Sequence, residues 1–112
     1  MDKYPKSIRK ALRELHEKAY EREISLHIEK LWEKFQQWKN GQVNVWDITA
    51  LIHEFDYHTA RQLYSYYDRL KPEFTVPRAV VEGFLQENEI PPNVFESIRE
   101  KIDECKKTQE YN

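Results

Sequence analysis

From Pro5 to Lys39 the chain has no glycine and no interior proline, and its apolar residues return at steps of three and four. Ile8, Leu12, Leu15 and Ala19 make one such series, and Tyr20, Ile24, Ile28, Leu31, Phe35 and Trp38 make another. Steps of this size bring side chains back to one face of an α-helix. The spacing predicts a single helix over 5–39, on the order of 50 Å long at 1.5 Å per residue. Between Ala19 and Ile24 the stripe slips, because the steps on either side do not share one heptad register. A slip of this kind rotates the apolar face, so the two halves of the helix are expected to meet different neighbours.

Asn40-Gly41 supplies a stop, since either residue accepts the left-handed conformation that closes a helix. Asn44 then reads as an N-cap with Asp47 three residues on. A short helix is expected over 44–55, with Val45, Ile48, Leu51, Ile52 and Phe55 facing inward. Asp56 to Thr59 reads as a tight corner, followed by a helix over 57–70 with Ala60, Leu63, Tyr64, Tyr67 and Leu70 on its core face. Thr75 is the expected N-cap of a helix over 76–88. Pro77 falls in its first turn, and Gly83 lies inside it, kept small by close packing against another helix. Ile90-Pro91-Pro92-Asn93 reads as a rigid connector into a last helix over 92–107, with Val94, Phe95, Ile98 and Ile102 inward. Only two glycines occur in 112 residues, which argues against a turn-rich β fold, and three Trp, seven Tyr and five Phe argue for a packed one. The expectation is an all-α five-helix array, one long N-terminal helix followed by four shorter ones, forming a single helical domain over 1–112.

The formal net charge of −2 does not select a nucleic-acid partner. Charge is uneven, however, and the first 22 residues carry a surplus of lysine and arginine. Lys6, Arg9, Lys10 and Arg13 are the candidate anion contacts, and a nucleic-acid-associated role through them is the second reading of function. A helix-turn-helix can be drawn across Trp46 to Leu70, but its second helix offers mainly aromatics beside Arg61 and Arg69, and its turn lacks glycine. His53-Glu54-Phe55-Asp56-Tyr57-His58 resembles the HExxH zinc motif with one residue too many, which moves its histidines off a common face. Glu54 and His58 stand at i,i+4 and carry a third reading, a metal site or enzyme, but two ligands fall short of the three or four zinc needs. No phosphate loop, dinucleotide fingerprint or nucleophile elbow is present, and no catalytic residue, cofactor or bound metal is expected. Cys105 is the only cysteine, so no intramolecular disulfide can form. The opening MDKYPKSIRK has no apolar run, and no stretch approaches the ~18 apolar residues of a membrane span. A cytoplasmic, soluble protein is expected.

A compact domain of this length is roughly 35 Å across by the usual scaling, and a helix on the order of 50 Å overhangs it. Exposed apolar stripes of that extent mark interfaces. Leu12, Leu15, Ala19, Leu31 and Trp32 are therefore the candidate interface, with a homodimer or another protein as partner. The first reading of function is a non-enzymatic helical protein–protein interaction or regulatory module that self-associates through its first helix. The stretches Pro5–Ile24 and Leu51–Tyr67 resemble those of short all-helical bacterial proteins. That resemblance implies a bacterial origin and carries over no functional residue.

Overall fold

The structure, a computed structural model, describes the backbone of residues 3–111 and the side chains of residues 3–109. No strand occurs among the described residues, and the fold is all-α with a long N-terminal helix. Helix α1 runs unbroken over Lys6–Lys39. It closes around Gly41, whose φ of 76° lies in the left-handed region open to glycine. There the Gly41 N–H donates to the Trp38 carbonyl at 3.0 Å and the Gln42 N–H to the Gln37 carbonyl at 2.8 Å. Together these bonds satisfy carbonyls that the last turn would otherwise leave open.

Asn44 caps the next helix as expected. Its Oδ1 accepts from the Asp47 N–H at 2.8 Å, and its own N–H donates back to Asp47 Oδ2 at 3.3 Å. Val45–Glu54 is α-helical, Phe55–Ala60 is π-helical and Arg61–Arg69 is α-helical again. The backbone stays right-handed through both junctions, so the three segments are one helix, α2. The corner expected at 56–59 is absent, and the helices expected at 44–55 and 57–70 are continuous. A helix-turn-helix across 46–70 is absent with it. The spacing of apolar residues explains the π turns. Phe55, Thr59, Leu63 and Tyr67 recur at steps of four, and on a regular helix each step drifts about 40° around the axis. Bonds closed at i→i+5 put more residues in each turn and take up that drift. Phe55 and Thr59 thus stay half-buried in line with buried Leu63 and Tyr67.

Helix α3 spans Pro72–Glu82 and starts earlier than expected, with Lys71 extended at its N-cap and Pro72 in its first turn. Thr75 is not a cap. It is fully buried, and its Oγ1 shares a hydrogen bond with His16 Nδ1 of α1. Gly83 is not inside a helix either. It ends α3 at φ 89°, with the Phe84 N–H bonded to the Ala79 carbonyl at 2.9 Å and the Gly83 N–H to that of Val80 at 3.2 Å. A Cβ built there would meet nothing within 4 Å, so backbone conformation and not close packing calls for glycine. A 3-10 turn at Glu87–Glu89 follows, and α4 covers Pro92–Tyr111. Among the described residues four helices therefore stand where five were expected.

Contacts divide the chain into two compact units. One takes the residues up to Tyr20 and those from Leu70 on, and the other takes Glu21–Arg69. The boundary inside α1 falls within the slip in its apolar stripe. In the first unit Ile8, Leu12, Leu15 and Ala19 of α1 are buried, as are Val76 and Ala79 of α3, Leu85 and Ile90 after it, and Val94, Ile98 and Ile102 of α4. The second unit is an antiparallel hairpin of the second half of α1 and all of α2. Tyr67 Oη donates to the buried Glu23 Oε1 at 2.7 Å and ties the two helices at the end away from the turn. Only Glu23, Ile48, Leu63 and Tyr67 are buried among the described residues of this hairpin.

Candidate functional site

Two helices alone cannot enclose all their apolar side chains, and the hairpin shows this. Of the eleven large hydrophobic side chains exposed among the described residues, nine belong to Glu21–Arg69. Trp32 is 59% exposed and Trp46 76%. On α1, Leu31 marks the direction toward α2; at 100° per residue Ile28 and Trp32 lie about 60–100° to one side of it. On α2, Ile48 marks the direction toward α1, and Val45 and Ile52 lie about 40–60° to one side. In an antiparallel pair rotation of the same sense leads to the same flank, so these four side chains share one open face of the hairpin.

The first unit holds a cavity of about 480 Å³. Lys3 and Tyr4 line it ahead of α1, Arg9, Leu12 and Arg13 on α1, Lys71 to Phe74 at the start of α3, and Lys101 on α4. Five of these side chains are cationic and one, Glu73, is acidic. Lys101 follows Ile98 by one turn, so its stem runs along the apolar stripe of α4 while its ammonium reaches the cavity. Nζ donates to Tyr4 Oη at 2.7 Å and stands 3.5 Å from Glu73 Oε2. The same ammonium lies 5.3 Å from the centre of the Tyr4 ring and 5.5 Å from that of Phe74.

Burial works to lower the Lys101 pKa, but the Tyr4 hydroxyl and the Glu73 carboxylate outweigh it and hold the ammonium above its ordinary value. A raised folded-state value adds stability that is complete at neutral pH and disappears as pH climbs through that value. The thermal midpoint of the native protein is therefore expected to drop at the alkaline end of a series from neutral pH upward. In Lys101→Met that alkaline drop should be smaller, and an equal drop in both proteins would show that Lys101 contributes nothing to it.

The structure separates the residues singled out from sequence. Leu12, Leu15 and Ala19 are 2%, 6% and 0% exposed, so they are core and not an open interface. This half of α1 belongs to the same compact unit as α3 and α4, whose buried Val76, Ala79, Val94, Ile98 and Ile102 share its core. Leu31 is half-buried, and Trp32 is open. Arg9 and Arg13 reach the cavity, while Lys6 and Lys10 are exposed and do not line it. Lys3 belongs to the basic N-terminal stretch but was not among the candidate contacts, and Lys71 and Lys101 escaped sequence reasoning because they lie far from it along the chain and no local pattern joins them.

Glu54 Oε2 and His58 Nε2 are 3.7 Å apart, both side chains well exposed. No group of three or more His, Cys, Asp or Glu side chains able to hold a metal ion occurs among the described residues. Burial pushes the Cys105 thiol above its ordinary pKa, Glu104 and Glu82 push the same way, and Arg78 opposes them. That direction is opposite to the one that activates a nucleophilic thiol. Among the described residues no helix is long and apolar enough to cross a membrane. No family model, curated protein or solved structure matches the chain.

Proposed function

We propose that this chain is a cytoplasmic, non-enzymatic helical interaction module that self-associates through the second half of α1. The observation that carries the reading is the open face of the hairpin, where Ile28 and Trp32 of α1 stand beside Val45 and Ile52 of α2. Pairing two such hairpins gives a four-helix bundle, in which each copy covers what the other leaves open.

The sequence of α1 favours a second copy of the chain over an unrelated partner. Glu21, Ser25, Ile28, Trp32, Phe35 and Lys39 fall at alternating steps of four and three along this flank. Such a stripe packs against itself. Pair it antiparallel about a two-fold axis level with Lys30, and Ile28 of one copy meets Trp32 of the second copy. Ser25 then meets Phe35, and Glu21 meets Lys39, all in both directions, as an isologous interface requires. The apolar pair is central and the opposite charges lie at the rim, where they set register and contribute little energy.

Sedimentation equilibrium over a range of concentrations tests this. A dimer with a dissociation constant of roughly 1 μM or below corresponds to about 8 kcal/mol of association. A monomer that persists to roughly 100 μM, where association would be worth less than about 6 kcal/mol, removes the reading.

A further inference from the structure

We propose that the basic cavity of the first unit binds a small organic anion that carries phosphate on a flat ring, a nucleoside diphosphate being the simplest member of that class. The cavity, at about 480 Å³, has the size of a site for a ligand of that kind. Its charge is lopsided. Lys3, Arg9, Arg13, Lys71 and Lys101 converge on it, and the one carboxylate among its described lining residues, Glu73, is within 3.5 Å of Lys101. Cations gathered in a concave, partly desolvated space repel one another, and an anion seated among them relieves that repulsion. The arginines suit phosphate oxygens because their planar fork offers paired donors. The first turn of α3 also lines the cavity, adding the positive end of a helix dipole.

The ring requirement comes from the other wall. Phe74 is 48% exposed, and with Tyr4 it borders the same space. Lys101 sits between the two rings and anchors them, so an open aromatic surface stands next to the cations. A phosphate alone would use the cations and leave Phe74 in water, whereas a ligand with a planar base would use both. Five cations converge on one hollow of a chain whose formal net charge is −2, which favours a small ligand over a long nucleic acid. This site and its ligand are independent of the self-association proposed for the hairpin.

Isothermal titration calorimetry of the full chain with adenosine diphosphate, pyrophosphate and a single-stranded oligothymidine tests the assignment. One saturable site for adenosine diphosphate is expected, with pyrophosphate binding more weakly at the same place. Arg13→Glu and Lys71→Glu alter exposed side chains and should each weaken adenosine diphosphate about tenfold while leaving the thermal midpoint unchanged. Phe74→Ser should weaken adenosine diphosphate several-fold and leave pyrophosphate as it was. The proposal is overturned if neither adenosine diphosphate nor pyrophosphate binds, or if both charge reversals leave the affinity unaltered. Affinity that rises with oligothymidine length, with no site for adenosine diphosphate, also overturns it and points to a nucleic-acid surface.

Discussion

Leu12→Ala is expected to cost about 2–5 kcal/mol, the range for truncating a buried leucine whose surroundings cannot fully close in. Leu12 is 2% exposed in the core of the first unit, beside Leu15 and Ala19 on the same stripe. Domains of this size hold only about 5–15 kcal/mol in reserve. At about 4 °C per kcal/mol the midpoint should drop by roughly 10–20 °C. Thermal unfolding followed by circular dichroism measures it. The variant should keep whatever association the native chain shows, since the lost methyl groups face inward. A near-native midpoint together with weakened association would instead return Leu12 to the interface.

Ile28→Asp combined with Trp32→Asp should do the reverse. These side chains are 50% and 59% exposed, so little of the hairpin's own packing is lost and the helical signal should survive. Central interface residues often contribute about 2 kcal/mol or more each. Each change occurs in both copies, so four such side chains are lost and association should weaken by well over a thousandfold. Sedimentation of the double variant should show monomer at concentrations where the native chain is dimeric. Reversing only Glu21 to Lys should weaken association slightly, because it brings two cations together at each end of the paired stripe, and Lys39→Glu on the same chain should restore it. A double variant that associates as tightly as the native chain would place the contact elsewhere.

Much of the backbone was legible in the residues. The unbroken run from Pro5 to Lys39, the Asn40-Gly41 stop and the Asn44–Asp47 cap act within a few residues of themselves, so local sequence suffices to read them. The slip near Ala19 was visible too, and it falls where α1 passes from one unit to the other. What failed were features settled by partners distant in sequence or by a rarer geometry. Asp56 to Thr59 looks like a corner because its residues are polar and turn-prone; the steps of four from Phe55 to Tyr67 were the signal for π turns. Thr75 looks like a cap, yet His16 engages it from the opposite end of the chain. The burial of Leu12 was misjudged because its cover comes from helices more than 60 residues away. Three of the cavity's five cations, Lys3, Arg9 and Arg13, fall in the basic first 22 residues, but Lys71 and Lys101 are gathered there only by the fold.

The wide turns at Phe55–Ala60 leave α2 with a residue in excess of what a regular helix would need to cover the same path. A one-codon deletion at an exposed position there, such as Tyr57, would look harmless by exposure alone. The coil would tighten into a regular helix and absorb the loss, because seven steps of about 100° from Phe55 bring Leu63 to within about 20° of two full turns. Leu63 would keep its direction and Tyr67 would still face Glu23. The same deletion in the regular turns of Arg61–Arg69, at Gln62 for example, would swing Tyr67 by about 100° instead, so homologues are expected to gain or lose a residue at Phe55–Ala60 more readily than elsewhere in α2.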